Sequence, residues 1–562
     1  MRREVSVVNK KVCSFPILFA LLALVVGTCA VVFPASAQAA PTSTGSITVS
    51  GTVASSYDAY QIFSANVVDG DSDAKIATDL AWASDAVRDA ALPMLHSAGM
   101  PNSQTTAQEA AEWLNTDSHL TSALSAQLAR SLQSSGAVFA ALNAGTEAKL
   151  PCGYWLIVAD DDAIAQNEAG TAPIMALVGG SAVTVKPKAA TPKVSKHVLE
   201  DSTAAWQKAA DATVADDLYW RLSATVPAGL SAYDTYTVQF VDTMSAGLDP
   251  SRVAASMRVY VAAGADGGFD AVSTGKDGRA GTEPAKGWTD ITAQCATKVA
   301  ADGTFTVRTG DLIAALGGAD AFTAGVRVVA VYNAPLNSAC NHGIAKGNPN
   351  EVYLRYPRSP FADQSGDAGF TRTPSDDACA YTWDLALTKR GSDGDKPLAG
   401  AVLSIADDRG RTLAADGTWD AEGKATVTTG EDGRVTVSGV DSGKLEVREL
   451  KAPKGYTAFE GTRSVTVRAE GLDVDQVAAA KPKLTITAES PLRADSADGS
   501  TGSLEASLIN TPTGTPPSIT TGGFMPSTGD MAMYAAAAAA VAGAALIVVA
   551  LLVKRGGGSH KE

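Results

Sequence analysis

The segment Tyr381–Lys389 reads Tyr-Thr-Trp-Asp-Leu-Ala-Leu-Thr-Lys, and in a strand successive side chains face opposite ways. Trp383, Leu385 and Leu387 then form one apolar row, which Lys389 ends on the same face. Two later stretches repeat the arrangement: Glu449 follows Leu445 and Val447, and Asn510 follows Leu504, Ala506 and Leu508. A lysine, a glutamate and an asparagine thus close three inward-facing rows of one sandwich. Buried charges need partners. Two chemistries supply them. One is a buried Lys389–Glu449 salt bridge with Asn510 capping a strand. The other is covalent. Burial disfavours each charged form, lowering a lysine pKa and raising a glutamate pKa. Neutral Lys389 then attacks the side-chain carbonyl of Asn510, while protonated Glu449 polarises that carbonyl and shuttles protons as ammonia leaves.

At 562 residues the chain exceeds a single core, and with 45% hydrophobic and 19% charged residues most of it is expected to be globular. The pattern predicts a mainly β protein of three tandem immunoglobulin-like β-sandwich domains, the first with helical insertions. The first domain is expected over 40–188, opening with a strand at Ser46–Ser50. Two helical stretches follow, roughly Ala74–Leu95 and Thr105–Gln133, the second carrying Leu114, Leu120, Leu124 and Leu128. Tyr154–Val158 reads as a buried strand. Strand alternation dominates 189–375 and 376–511, as where Tyr236, Val238 and Phe240 alternate with Thr235, Thr237 and Gln239.

The two ends direct the chain outward. Arg2, Arg3, Lys10 and Lys11 precede an apolar run from Phe15 to Phe33 and small residues through Ala40, the pattern of a secretory signal peptide over 1–39. Met531–Val553 is long enough to span a bilayer, and Lys554 and Arg555 hold the 554–562 tail in the cytoplasm. Residues 512–530 read as an extended linker. Within it, Met525-Pro526-Ser527-Thr528-Gly529 resembles the LPXTG cell-wall sorting signal of Gram-positive bacteria, with Met in place of Leu. The resemblance implies that a sortase cuts between Thr528 and Gly529 and joins Thr528 to an amine. The span is then left behind.

Leu445–Tyr456, with Glu449, Ala452-Pro453 and Gly455-Tyr456, resembles the E box of sortase-assembled pilins, with Leu445 where Tyr is usual. Lys389 and Asn510 match the pair that forms an intramolecular isopeptide in collagen-adhesin B-type domains. The chain as a whole resembles a backbone pilin, the major subunit of a covalent fimbria. That resemblance implies a pilus-class sortase, identical subunits joined head to tail, and a housekeeping sortase with peptidoglycan as the wall anchor. It also implies a tip pilin and a host receptor as partners. The matching pilin motif is Val183–Lys188. Thr184, Lys186 and Lys188 face away from Val183 and Val185, and the resemblance makes Lys188 the intermolecular nucleophile, with Lys186 in reserve. The alternative is a wall-anchored accessory or tip adhesin that does not polymerise.

The middle domain departs from the family. Lys196 shares a face with Val194 and Val198, and Asp242 with Val238 and Phe240. In the closing strand, however, Arg358 and Ser359 stand before Pro360 where the family has Asn-Asn. Arginine cannot be the electrophile. Either the domain has no amide, leaving Lys196 and Asp242 as a buried ion pair, or Asn333, Asn348 or Asn350 substitutes. The former is expected here, giving one amide per chain.

Loss of the signal peptide removes Cys13 and Cys29 and leaves Cys152, Cys295, Cys340 and Cys379. Export favours disulfides, three pairings exist, and Cys295–Cys340 is preferred as a staple for the middle domain. The net charge of −15 argues against nucleic acid as a partner. There is no HExxH or CxxC, and the five His give no nucleophile–His–acid set. Asp69–Asp73 resembles a calcium loop, but its sixth and twelfth positions are Ala74 and Leu80, so an acidic turn before a helix is expected. No metal, cofactor or turnover enzyme is predicted.

Overall fold

The computed structural model describes residues 43–71, 74–116, 118–135, 140–187, 191–228, 230–264, 287–318 and 325–514. The expected signal peptide, Lys188, the sorting signal Met525–Gly529 and the apolar span lie outside the described residues. Among the described residues, no helix is long and apolar enough to cross a membrane.

In the first domain, the strand Ser56–Asp69 pairs with Lys75–Trp82, Ala140–Asn143 and Gly153–Ala159, and the last of these also pairs with Ile174–Val178. A smaller sheet sets Thr44–Val49 antiparallel to Glu147–Pro151 and parallel to Val183–Val185. Ile47, Val49, Trp155, Ile157 and Val178 fill the space between the sheets. On the opposite face of the larger sheet, Tyr60, Ile62, Leu156 and Val158 pack beneath three helices.

The helical insertion is shorter and more broken than the sequence pattern suggests. Lys75–Trp82 is a strand, the second arm of a hairpin, so the acidic turn after Asp69 precedes a strand and not a helix. Asp69 instead accepts hydrogen bonds from Ser181 N at 2.9 Å and pairs with Lys75 at 3.3 Å. The first helix, Asp85–Ser97, starts only after Ser84, whose side chain accepts from Val87 N. The second stretch is two helices, Ala107–Asn115 and Ser122–Ser134. Thr106 forms a capping box with Glu109, and Thr121 caps the next helix. Short polar side chains between them compete for backbone hydrogen bonds and end the first helix.

The middle domain is a two-sheet sandwich. Tyr219–Val226 lies between Lys193–Glu200 and Val326–Asn333, with Arg258–Ala263 beyond. In the facing sheet Gln239–Met244 lies between Thr304–Arg308 and Asn348–Pro357. Trp220, Phe240, Val328 and Leu354 are among the core residues between them. Asp376–Tyr381 pairs with Asn348–Pro357 and so completes the middle sheet, which carries that domain past the expected 375/376 boundary.

The third domain begins at the next strand. Trp383–Gly391 lies between Arg434–Val440 and Ser503–Pro512, parallel to the latter. The facing sheet places Gly443–Lys451 between Val402–Ala406 and Thr462–Glu470. Trp383, Leu385, Leu403, Val447, Val465 and Leu504 are buried between them.

Polar contacts join the domains. Trp383 Nε1 and Ser442 Oγ each donate to Asp211 Oδ2 at 2.6 Å, tying the third domain to the second. Gly343 and Gly502 meet so closely that a Cβ on Gly343 would lie 2.4 Å from Gly502 N. Arg358 belongs to the other junction: it donates to Asp161 O at 3.2 Å, and its own carbonyl accepts from Gly170 N at 2.7 Å.

The expected Cys295–Cys340 disulfide is not formed, and Cys152, Cys295, Cys340 and Cys379 are all unpaired. The topology explains this. Cys295 precedes the edge strand Ala296–Val299, whose register leads through Arg308 to Gln239. Cys340 packs beside Gly247, beyond the Met244 end of that same strand. Opposite ends of a strand, with further strands between, exceed the Cα separation a disulfide allows. Denatured, unreduced mature protein should therefore give four thiols in a Cys-specific titration. Two or none would show that pairing occurs after all.

Candidate functional site

In the third domain the structure brings Lys389, Glu449 and Asn510 together. Lys389 lies level with Leu508 and Gly391 level with Asn510 on neighbouring parallel strands, the first and last of the sandwich. Glu449 reaches them from the facing sheet. Lys389 is 0% exposed, Asn510 2% and Glu449 7%, so solvent does not stabilise the charges. Lys389 Nζ lies 3.6 Å from Glu449 Oε1 and donates to Leu508 O at 3.2 Å. Asn510 Nδ2 donates to both Glu449 oxygens, at 2.9 and 3.0 Å, and Phe459 N donates to Oε2 at 3.1 Å. Asn510 Oδ1 is buried without a partner. Rotating that amide by half a turn sets its carbonyl oxygen against Glu449, where a carboxyl proton would serve it.

Burial pushes the Lys389 amine down to about 8, although Glu449 pulls the other way. A free-amine fraction is thus present at neutral pH, and only a free amine is nucleophilic. The cluster holds a nucleophile, an amide electrophile and a carboxyl group in one buried space.

A second cluster lies in the middle domain. Lys196 comes from one sheet, and Asp242 and Asn350 from neighbouring strands of the other. All three are 0% exposed. Lys196 Nζ forms an ion pair with Asp242 Oδ2 and donates to the Tyr332 hydroxyl at 2.9 Å. Asn350 Nδ2 donates to the same hydroxyl at 2.9 Å. Asp242 Oδ1 and Asn350 Oδ1 are both buried and unpartnered. Desolvation drives Lys196 down to about 8 and Asp242 up to about 6, each toward its neutral form against the pull of the other.

The expected ion pair is therefore present, with an asparagine beside it. Among the three named substitutes, Asn350 is the residue that reaches the cluster. Asn333 holds Leu218 N and Asp217, and Asn348 holds Asn341 and Ala380 O. Arg358 is not at the end of the row, because the strand stops at Pro357 and Arg358 turns to the first domain. Asn350 shares the inward face of Val352, Leu354 and Tyr356, near the start of the row instead of at its end. The same alternation identifies Tyr332, two and four residues after Ala330 and Val328.

At the first-domain boundary Lys186 is exposed, directly after the short strand Val183–Val185. Cys295 and Cys340 take no part in either cluster. No group of three or more His, Cys, Asp or Glu among the described residues has metal-binding geometry.

Against known proteins, residues 384–481 match the SpaA family, described as a prealbumin-like fold domain. That match lies within the third domain. A stretch of 143 residues is 30% identical to the trypsin-resistant surface T6 protein of Streptococcus pyogenes, covering 24% of this chain and 24% of that protein. The chain thus matches about a quarter of that relative's length. Among solved structures, the T6 backbone pilin of serotype M6 Streptococcus pyogenes aligns over 84% of this chain and 98% of its own, with 17% identity and a TM-score of 0.45. The full-length major pilin SpaD of Corynebacterium diphtheriae aligns over 84% and 100%, with 15% identity and a TM-score of 0.40.

The depressed lysine has a measurable consequence where the amide cannot form. In Asn510→Ala, Lys389 remains a free amine with a folded value near 8, below its ordinary value of about 10.4. Between those values the unfolded chain keeps the proton and the folded chain does not. Stability should rise with pH across that window, by roughly 1–3 kcal/mol. Urea unfolding between pH 7.5 and pH 10.5 tests this against Asn510→Ala/Lys389→Met, which should lack the rise. Parallel curves for the two variants would contradict the assignment.

Proposed function

We propose that this chain is the shaft subunit of a sortase-polymerised, cell-wall-anchored pilus, with intramolecular Lys–Asn amides in its second and third domains. The observation that carries the reading is the recurrence of one chemistry in successive sandwiches. Each buries a lysine, a carboxylic acid and an asparagine together in an apolar core. The SpaA-family match of the third domain and the surface T6 relative support it.

In the third domain Lys389 Nζ attacks Asn510 Cγ, with Glu449 moving protons. The Nζ–Cγ bond forms, the Cγ–Nδ2 bond breaks and ammonia leaves. In the middle domain Lys196, Asn350 and Asp242 take the corresponding roles, which replaces the expectation of one amide with two. Each reaction occurs once per chain, so the protein is a substrate of its own chemistry and not a turnover enzyme. Each link also restricts the unfolded ensemble as a disulfide does, stabilising the fold by about 2–4 kcal/mol.

Assembly follows from the ends. Sortase cleavage after Thr528 in Met525–Gly529 supplies the acyl group, and Lys188, or Lys186, supplies the amine. Repeating that transfer joins subunits head to tail without closure. A housekeeping sortase then attaches the polymer to peptidoglycan, so the mature protein lies outside the cell.

The intact mass of denatured, reduced protein should fall short of the sequence value by about 34 Da, since each aminolysis expels ammonia of about 17 Da. Glu449→Ala should recover about 17 Da of that deficit. An undiminished wild-type mass would contradict both amides. For polymerisation, wall extracts of the native host should show a high-mass ladder. Lys188→Ala, or failing that Lys186→Ala, should abolish it while leaving wall-bound monomer. If neither lysine alters a ladder, or none forms, the non-polymerising accessory adhesin becomes the better description.

A further inference from the structure

The Tyr332 hydroxyl touches every member of the middle-domain cluster. It accepts from Lys196 Nζ at 2.9 Å and from Asn350 Nδ2 at 2.9 Å, and it donates to Asp242 Oδ2 at 3.2 Å. The nitrogen that must lose a proton and the nitrogen that must gain one therefore share a single oxygen. Among the described residues, no hydroxyl contacts the third-domain cluster: Lys389 Nζ meets Glu449 and the Leu508 carbonyl, and Asn510 Nδ2 meets both Glu449 oxygens.

We infer that Tyr332 is a catalytic residue of the middle-domain amide bond, relaying a proton from Lys196 Nζ to the departing Asn350 nitrogen. This rests on the two-amide reading above. Attack of neutral Lys196 on Asn350 Cγ leaves an extra proton on Nζ. The Tyr332 oxygen takes that proton and passes its own hydrogen to Nδ2. The Cγ–Nδ2 bond breaks, ammonia leaves, and the phenol is regenerated. Asp242, holding the proton that neutral Lys196 has given up, is then free to donate it from Oδ1 to the Asn350 carbonyl, both oxygens being otherwise unpartnered. No external oxidant or co-reactant is needed.

The surroundings favour this role. The Tyr332 ring is fixed edge-on against Phe305 at 4.8 Å between centroids, and the residue is 0% exposed. Burial and the Asp242 charge raise its hydroxyl well above the ordinary phenol value, so it stays a neutral group able both to donate and to accept. The cluster is closed to bulk solvent, and the phenol oxygen bridges the two nitrogens. Glu449 in the third domain contacts both Asn510 Nδ2 and the vicinity of Lys389 Nζ by itself, and needs no such bridge.

Tyr332→Phe removes the oxygen and keeps the ring. Freshly purified full-length protein is digested at intervals and its branched peptides are quantified by tandem mass spectrometry. Wild type should contain the Lys196–Asn350 peptide at isolation. Tyr332→Phe should form it at least about tenfold more slowly, at the modest end of general acid–base contributions. The Lys389–Asn510 peptide in the same sample should be unchanged, which reports that the third domain folded, and an unchanged protease-resistant middle domain reports the same for its neighbour. Asp242→Asn serves as a second variant, expected to lack the middle bond while keeping the third-domain one. If wild type lacks the Lys196–Asn350 peptide, the two-amide reading fails. If wild type has it and Tyr332→Phe forms it equally fast, the relay is overturned and the two-amide reading stands. A Tyr332→Phe chain that loses both branched peptides would assign the hydroxyl a folding role and also overturn the relay.

Discussion

A lysine ammonium placed in an apolar core away from bulk solvent is the constraint around which the second and third domains are organised. Lys196 and Lys389 are both fully buried, each with an acid for company. Isolated ion pairs in such places recover little of their desolvation cost. Both lysines are pushed toward the free amine, the form that burial tolerates and the form that attacks a carbonyl. An asparagine within the same space turns an electrostatic liability into a reaction coordinate. The proposed amide would remove the charge and join the strands that carry it.

The two sandwiches solve this problem with different geometry. In the third domain the lysine and asparagine lie on adjacent parallel strands, and the acid crosses from the facing sheet. In the middle domain the lysine crosses, while acid and asparagine share a sheet. The proposed link within one sheet would bind the first strand of a domain to its last, and the proposed link between sheets would pin the two layers of the sandwich together. Interdomain contacts run through Asp211 on one side of the middle domain and Arg358 on the other.

Much of this was legible as alternation. Period-two rows placed Lys389, Glu449 and Asn510 inward, and likewise Lys196 and Asp242, because a strand's side-chain period leaves only two faces. Asn350 follows the same rule but lies near the start of its row, whereas the family's asparagines stand at the row's end, where this chain has Arg358. That the strand stops at Pro357 depends on how Arg358 docks to the first domain, a tertiary fact. The hairpin at Lys75–Trp82 was hidden for a similar reason: its alanines suit a helix, and only pairing with the long Ser56–Asp69 strand decides otherwise. Cysteine spacing carried no information about which ends of a strand Cys295 and Cys340 occupy. The Asp211, Trp383 and Ser442 junction joins residues far apart in sequence, with no local pattern to reveal it.

Pulling on single molecules tests the covalent account most directly. With force applied across the ends of residues 43–514, the account predicts that chain between Lys196 and Asn350, and between Lys389 and Asn510, never lengthens. The first domain, which has no such cluster among its described residues, should extend. Stepwise release of the full contour of the second and third domains would show that hydrogen bonds alone hold them, and would contradict the claim that this fold is closed by its own amides.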